Sequence, residues 1–151
     1  MIDEKDRLII ELLSRNARMS YSEIARKLGM SDVAVIKRIK KLEQSGVIRG
    51  YTVLVDPRKM GYNAVSITGI TINPDKMFKA LSELKKHPAV KFLAITSGDH
   101  PAIALIWARD EEELAQIHEA LLRIDGVEKV WPAIILDVIK NEASLCGSPG
   151  F

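Results

Sequence analysis

The sequence is poor in three features that would each indicate a particular class of protein. It has one cysteine in 151 residues, which excludes an internal disulfide and fits a reducing cytoplasm. No apolar run approaches the ~20 residues of a membrane-spanning helix, and the polar, acidic first six residues do not resemble a secretory signal. Aromatic residues make up only 5%, beside 28% charged residues, a balance typical of a globular chain. We therefore expect a cytoplasmic protein with no membrane partner.

Groups that bind metals or catalyse reactions are also scarce. His87, His100 and His118 show no metal-ligand spacing among themselves or with Cys146. We expect His87 to end a helix before Pro88, His118 to face solvent and Cys146 to be an inert thiol. No nucleophile–base–acid set and no phosphate-binding glycine loop is present. The sequence thus predicts no metal, no cofactor and no catalytic residue.

Charge is distributed unevenly along the chain. Residues 1–60 contain 13 Lys and Arg against 8 Asp and Glu, whereas residues 61–151 contain 9 against 12. A basic first part and a mildly acidic remainder indicate two modules with different partners. A polyanion is the natural partner for the first module.

The first module has the apolar spacing of three helices. The first helix covers 3–15 and carries acids in its first turn, which suits the helix dipole. Ser20 begins the second helix in a capping-box pattern, and Gly29 ends it as a left-handed cap. The third helix covers about 31–45. The stretch "VIRGYTVLVD" (47–56) is rich in β-branched residues and predicts a small hairpin or a strand.

The second module predicts strands and helices in the order of a split βαβ or ferredoxin-like fold. The strands are 64–72, 90–96, 102–108 and 127–139, and the helices are 74–87 and 110–124. The predicted class is α+β. The predicted domains are a helix-turn-helix domain (1–50), a linker strand (51–62), a ferredoxin-like domain (63–140) and a flexible tail (141–151).

The third helix carries a run of cations that raises the question of a negatively charged partner. Charge runs are usually solvated helix surfaces. Ala25, Gly29 and Val35 nevertheless stand where a helix-turn-helix needs a small residue, a turn glycine and a branched apolar residue. A plain helical hairpin would have the same types of residue at these positions. Because the basic face lies on the second helix of the pair, we favour double-stranded DNA as the partner.

The helix-turn-helix interpretation assigns a role to each candidate DNA-binding residue. The start of the third helix would enter the major groove, and basic side chains would contact phosphates. The start of the second helix would also suit a phosphate, although a core position explains its tyrosine equally well. The predicted base-edge residues are Ser31, Asp32, Ala34, Val35 and Arg38, the phosphate contacts are Lys37, Lys41 and Arg49, and Ser20 and Tyr21 begin the second helix.

The stretch "TSGDHPAIAL" (96–105) is the second informative motif. Gly98 permits a tight turn between strands, and its amides with Asp99 could hold a small zwitterion. Ordinary turn chemistry explains Ser-Gly-Asp equally well. The predicted sheet has one face without helices. This face is either buried against a second copy of the chain or remains an exposed apolar face of a monomer. Trp107 and Trp131 are expected in a core or interface and not in a cofactor site.

The chain resembles the Lrp/AsnC family of transcription regulators over about residues 1–140. The resemblance rests on "DRLIIELLSRNARMSYSEIARKLGMSDVAVIKRIKKLEQSGVIRGYTVLVDPRKMGY" and on Gly98-Asp99. It implies a winged helix-turn-helix joined to a ferredoxin-like RAM domain, with sheet-to-sheet homodimers often assembled into octamers. It also implies an amino-acid effector near the Gly98-Asp99 turn. By position, the effector residues would be Thr96, Ser97, Gly98, Asp99 and His100, with Pro132 and Ile134 on the last strand.

The sequence therefore predicts a sequence-specific DNA-binding regulator linked to amino-acid metabolism and not an enzyme. An architectural DNA-coating protein without an effector is the alternative. An enzyme built on the ferredoxin-like domain is a third option, but no strand-end arginine or asparagine is placed to hold a phosphate.

Overall fold

A computed structural model describes residues 1–141, which form two compact units, Met1–Leu54 and Val55–Asn141. Residues 142–151 of the predicted tail, including Cys146, lie outside the described range. None of the helices in residues 1–141 combines the length and the apolar character that crossing a bilayer requires. Each unit has its own apolar core.

The first unit contains three helices whose ends follow the predicted signals. Asp3 caps the first helix in a capping box with Asp6, a reciprocal pair that the sequence analysis did not predict. Ser20 and Ser31 cap the next two helices by accepting hydrogen bonds from backbone amides inside each first turn. The helices are α1 (Glu4–Arg15), α2 (Tyr21–Leu28) and α3 (Asp32–Gln44).

The turn between α2 and α3 is set by residues that the sequence analysis singled out. Gly29 has φ +61°, the left-handed conformation predicted for this cap. Ala25 and Val35 are both buried in the core of the unit, where they pack in one cluster with Ile9 and Ile24. The helix-turn-helix arrangement of the first unit is thus confirmed.

The hairpin or strand predicted in 47–56 is wrong. Residues 49–56 form neither a helix nor a paired strand within the described chain, so the helix-turn-helix has no paired wing there. The side chain of Tyr51 donates a hydrogen bond to Glu43 Oε1 at 2.8 Å, which ties this segment to α3. β-Branched residues favour an extended backbone, but a strand also needs a partner, and composition does not supply one.

The second unit is a four-stranded antiparallel sheet with two helices, as predicted. Its strand order is β2-β3-β1-β4, the order of a ferredoxin-like fold, and the α+β class is confirmed. The strands are β1 (Ala64–Ile72), β2 (Val90–Ile95), β3 (Ala102–Ala108) and β4 (Val127–Ile134), and the helices are α4 (Met77–Lys86) and α5 (Glu111–Leu122).

The last strand is shorter than the predicted 127–139. Strand β4 ends at Ile134, which pairs with Ser66 of β1. One further backbone bond joins Ile135 N to Val65 O at 2.8 Å. Since β1 begins at Ala64, the strand has no neighbour left to pair with beyond that point. The apolar sequence "LDVI" therefore continues without a sheet.

Alternation along the strands separates two faces of the sheet. One face is buried against α4 and α5 in the core of the unit, where Ile70, Ala104 and Ile106 are fully buried. The other face carries no helix of this unit and keeps partly exposed apolar side chains. We call it the open face, and its larger residues are Ile67, Phe92, Ile103, Leu105, Trp107 and Trp131.

His118 is buried, so the expectation that it faces solvent is wrong. It lies on the inner side of α5, one turn after the buried Leu114. Its Nε2 atom is 2.8 Å from Thr68 Oγ1, which is itself 2.8 Å from Ser66 Oγ. This chain of polar partners from β1 satisfies the imidazole inside the core. Burial lowers the pKa of His118 below its usual value of about 6.5.

We expect the second unit to lose stability as the pH falls below about 6.5, the pKa of a histidine in the unfolded chain. Because folding lowers the pKa of His118, the unfolded state binds the proton more readily, and stability is complete only above that pH. The variant His118→Gln keeps a hydrogen-bonding group near Thr68 and cannot titrate. Urea unfolding at pH 7.5, 6.5 and 5.5 should show a flatter pH dependence for this variant. The control His87→Gln should keep the wild-type slope, and an unchanged slope in His118→Gln would contradict the assignment.

Candidate nucleic-acid interface and ligand turn

Helix α3 presents free positive charge on the side that faces away from the core. Lys37, Lys40 and Lys41 are exposed, and Arg49 is exposed just after the helix. Within residues 1–141 none of these four side chains forms an ion pair. Unpaired cations on one helix are available for a polyanion such as the DNA backbone. The sequence analysis did not include Lys40 among the site residues, although it belongs to the same cluster of lysines.

The hydroxyl groups predicted to touch DNA are used first as helix caps. Ser20 Oγ accepts the Glu23 amide at 3.1 Å, and Ser31 Oγ accepts the Ala34 amide at 3.2 Å. Asp32 accepts a hydrogen bond from the hydroxyl of Ser22, which links the start of α3 to α2. Tyr21, whose role was left open, is about half exposed at the start of α2. These residues therefore shape the turn and keep their outer surfaces accessible.

Val35 is fully buried, and its prediction as a base-edge residue is wrong. The side chain packs in the core of the first unit with Ile9 and Ile24, so no base can reach it. Its neighbour Ala34 is half-buried and keeps part of its surface at the front of the helix. The correction follows from helical geometry, because residue 35 shares the inner face with Ile39.

Arg38, which was predicted to read a base edge, is held by two carboxylates. Its Nη1 atom donates to Asp3 Oδ2 and to Asp6 Oδ1, each at 2.7 Å, and its side chain is 30% exposed. Asp6 is buried. The two carboxylates raise the pKa of Arg38, while the Asp6 amide and then the guanidinium lower the pKa of Asp3. Arg38 therefore fastens α3 to the start of α1.

The role of Asp3 and Asp6 was missed because their partner lies more than 30 residues away in the sequence. Both were interpreted only as acids that suit the dipole of the first helix. Their spacing of three residues places both carboxylates on one side of the first turn. The same spacing forms the capping box, in which each carboxylate accepts the backbone N–H of the other residue.

The predicted ligand turn connects β2 to β3. The backbone N–H of Thr96 donates to Pro101 O at 3.0 Å, and the Thr96 hydroxyl donates to the carbonyl of His100. Ser97 and Asp99 are exposed between them. Gly98 is not among the glycines with positive φ, so this turn does not use the left-handed conformation. The turn thus exposes one carboxylate and several polar groups at the end of the sheet.

His100 folds back from this turn onto the open face. Its ring lies directly against Gly69, so closely that a Cβ at position 69 would overlap it. The ring centroid is 5.6 Å from that of Trp131, and the buried Nδ1 atom has no hydrogen-bond partner among the described residues. A buried polar atom without a partner is unusual in a folded protein.

The structure does not bring the other two predicted effector residues to this turn. Pro132 pairs with Thr68 and Ile134 with Ser66, so the register directs both toward the helix side of the sheet. His100 and Trp131 lie on the open face instead. The residues beside His100 on this face are Trp131 and Gly69, and a glycine that interrupts the strand sequence "SITGITI" is the sequence signal of such a close approach.

The described residues do not gather a metal site. Within residues 1–141 no three His, Cys, Asp or Glu side chains converge as ligands. Chemically, the first unit offers cations and helix ends to phosphates. The turn before β3 offers Asp99 and backbone groups to a small polar ligand.

Comparison with protein-family profiles assigns both units. The profile of the AsnC-type helix-turn-helix domain matches residues 2–43. The profile of the Lrp/AsnC ligand binding domain matches residues 65–145. The two matches follow each other in the order of the two units.

Individual relatives cover nearly the whole chain. The HTH-type transcriptional regulator LrpA of Pyrococcus horikoshii is 50% identical over 141 residues, which are 93% of this chain and 100% of that protein. LrpA of Pyrococcus abyssi is 48% identical over 141 residues, with the same coverage of 93% and 100%. Among solved structures, E. coli AsnC is 27% identical with a TM-score of 0.88, covering 95% of this chain and 98% of that one. A transcriptional regulator of Neisseria meningitidis, solved as an L-Met complex, shares the fold at 22% identity with a TM-score of 0.90 and 97% coverage of both chains.

We expect Arg38→Ala to lower the free energy of unfolding by about 1–2 kcal/mol, because it leaves the buried carboxylate of Asp6 without its cation. Urea unfolding followed by circular dichroism measures this loss. The control Lys37→Ala removes a cation with no partner in the described chain and should leave the unfolding midpoint unchanged. If Arg38→Ala instead unfolded like wild type and selected a different DNA sequence, the positioning role would be wrong and base reading would be reinstated.

Proposed function

The chain belongs to the Lrp/AsnC family of transcriptional regulators, and from this premise we propose that it is a homo-oligomer that binds defined duplex sites under the control of an amino acid. Its targets on this proposal are genes of amino-acid metabolism. The observation that carries the DNA-binding part is the group of unpaired, exposed cations on and just after α3, the second helix of the helix-turn-helix.

In the proposed DNA contact, one set of residues binds phosphates and positions the protein, and another part of the surface reads the base edges. Lys37, Lys40, Lys41 and Arg49 contact phosphates and release counterions, which gives affinity without sequence preference. The first turns of α3 enter the major groove, as the second helix of a helix-turn-helix does. The amino-terminal end of α2, capped by Ser20, lies against the backbone and offers its amides to a phosphate.

The proposed partner for the open face is a second copy of the chain. This face has partly exposed apolar side chains, among them Phe92, Trp107 and Trp131, across a sheet that the helices cover only on its other side. Contiguous apolar surface of this kind indicates a protein interface. A symmetric dimer also presents two copies of α3 to a two-fold related DNA site. Assembly of four dimers into an octamer is proposed from the family resemblance.

The proposed effector site is the turn between β2 and β3. An exposed Asp99 suits an ammonium group, and the turn amides suit a carboxylate. The Neisseria regulator of this fold was solved with L-Met, which supports an amino acid as the class of ligand.

The proposal predicts that footprinting on fragments of genomic DNA shows protection of defined sites. Lys41→Ala should weaken binding to every sequence alike and reduce the slope of log affinity against log salt by about one, because one phosphate contact is lost. Lys85→Ala, an exposed lysine on α4, serves as the control and should leave the slope unchanged. Protection that spreads evenly over any DNA would support the DNA-coating alternative.

For the effector site, calorimetry with each of the twenty amino acids should give binding heat with at least one of them. We expect Asp99→Ala to abolish that heat, because the ammonium group loses its carboxylate. Asp75→Ala removes an exposed carboxylate elsewhere in the same unit and should leave the heat unchanged. Absence of heat with the wild-type protein would reject the effector site and leave the DNA-binding proposal intact.

A further inference from the structure

Val33 stands out among the apolar side chains of α3. It is 74% exposed, whereas Val35, Ile39 and Leu42 of the same helix are 0–2% exposed. A single exposed apolar residue is common and by itself carries no functional meaning. The position of this one gives it a meaning, because it lies at the start of the helix that a helix-turn-helix inserts into the major groove.

Val33 lies on the same side of α3 as the free cations. At about 100° per residue, positions 33 and 37 lie nearly opposite the buried face of Val35 and Ile39. Lys37 follows Val33 by one turn, and Lys41 follows Lys37 by another. If those lysines contact phosphates, the residue one turn before them points toward the base edges in the groove.

The polar residues around Val33 are already engaged. Ser31 caps the helix, Asp32 accepts a hydrogen bond from Ser22, and Arg38 is fastened to Asp3 and Asp6. The front of the first two turns of α3 is therefore left to an apolar side chain and one lysine. Apolar contact by this exposed side chain is therefore a way of reading a base pair that the geometry favours.

We propose that Val33 reads the C5-methyl group of a thymine and so fixes an A·T pair at one position of each DNA half-site. In the major groove only thymine offers an apolar group, while the other base edges offer hydrogen-bond donors and acceptors. Contact between the two removes apolar surface of both from water. A polar base edge under Val33 would instead lose its water without gaining a partner. The proposal rests on the sequence-specific DNA binding proposed above.

The test begins with a duplex selected from a randomised library by the wild-type protein. Each thymine of the selected half-site is replaced in turn by deoxyuridine, which removes the methyl group and keeps the pairing. At one position per half-site we expect the affinity to fall about fourfold, the equivalent of one buried methyl group. Val33→Ala should discriminate less than wild type between the thymine and deoxyuridine duplexes at that position, because its shorter side chain loses most of the contact with the methyl group. Folding is not at risk, because alanine favours the helix at an exposed position.

The control Val53→Ala removes an equally exposed valine, 79% exposed, outside α3. It should keep the full sensitivity to deoxyuridine. The proposal is overturned if no thymine is sensitive, or if Val33→Ala retains the sensitivity of wild type. If the protein selects a defined sequence but none of its thymines is sensitive, only the role of Val33 is rejected. Val33 would then be free to contact another protein instead of DNA. If the selection from the randomised library yields no common sequence, both the role of Val33 and sequence-specific DNA binding are rejected.

Discussion

The fixed position of α3 against α1 is the constraint on which the rest of the first unit depends. The inner face of α3 packs in the apolar core through Val35 and Ile39. At its edge, Arg38 bridges to Asp3 and Asp6 across the first turn of α1. These two kinds of contact together set the rotation of the helix about its axis. That rotation decides which residues face the solvent. It keeps the lysines outward, whereas Arg38 of the same run forms ion pairs within the protein.

Local signals predicted the helices and the sheet well, because caps and periodicity are properties of neighbouring residues. Ser20, Gly29 and Ser31 mark ends of helices that the structure reproduces. The failures concern partners that are distant in sequence. The segment 47–56 has the composition of a strand but no neighbour to pair with, and β4 stops where β1 has no residue left to offer. Strand pairing is a non-local property, which a local pattern does not contain.

The candidate sites show the same division. The cluster of cations could be predicted from its spacing, whereas the diversion of Arg38 depends on acids near the start of the chain. His118 was assigned to solvent as a polar residue, yet its place one turn after Leu114 puts it in the core, where Thr68 supplies the missing partner. Tertiary partners thus decide whether a charged or polar side chain is a surface group or a structural one.

The bare strand surface at Gly69 has a consequence for how the fold can vary. The imidazole of His100 occupies the space that any other residue at position 69 would fill with its own Cβ. The glycine of the strand and the histidine of the loop are therefore sterically complementary, although 31 positions separate them in the chain. A side chain at position 69 would require the imidazole to leave this place on the sheet. Natural variation at position 69 should therefore be accompanied by variation at position 100.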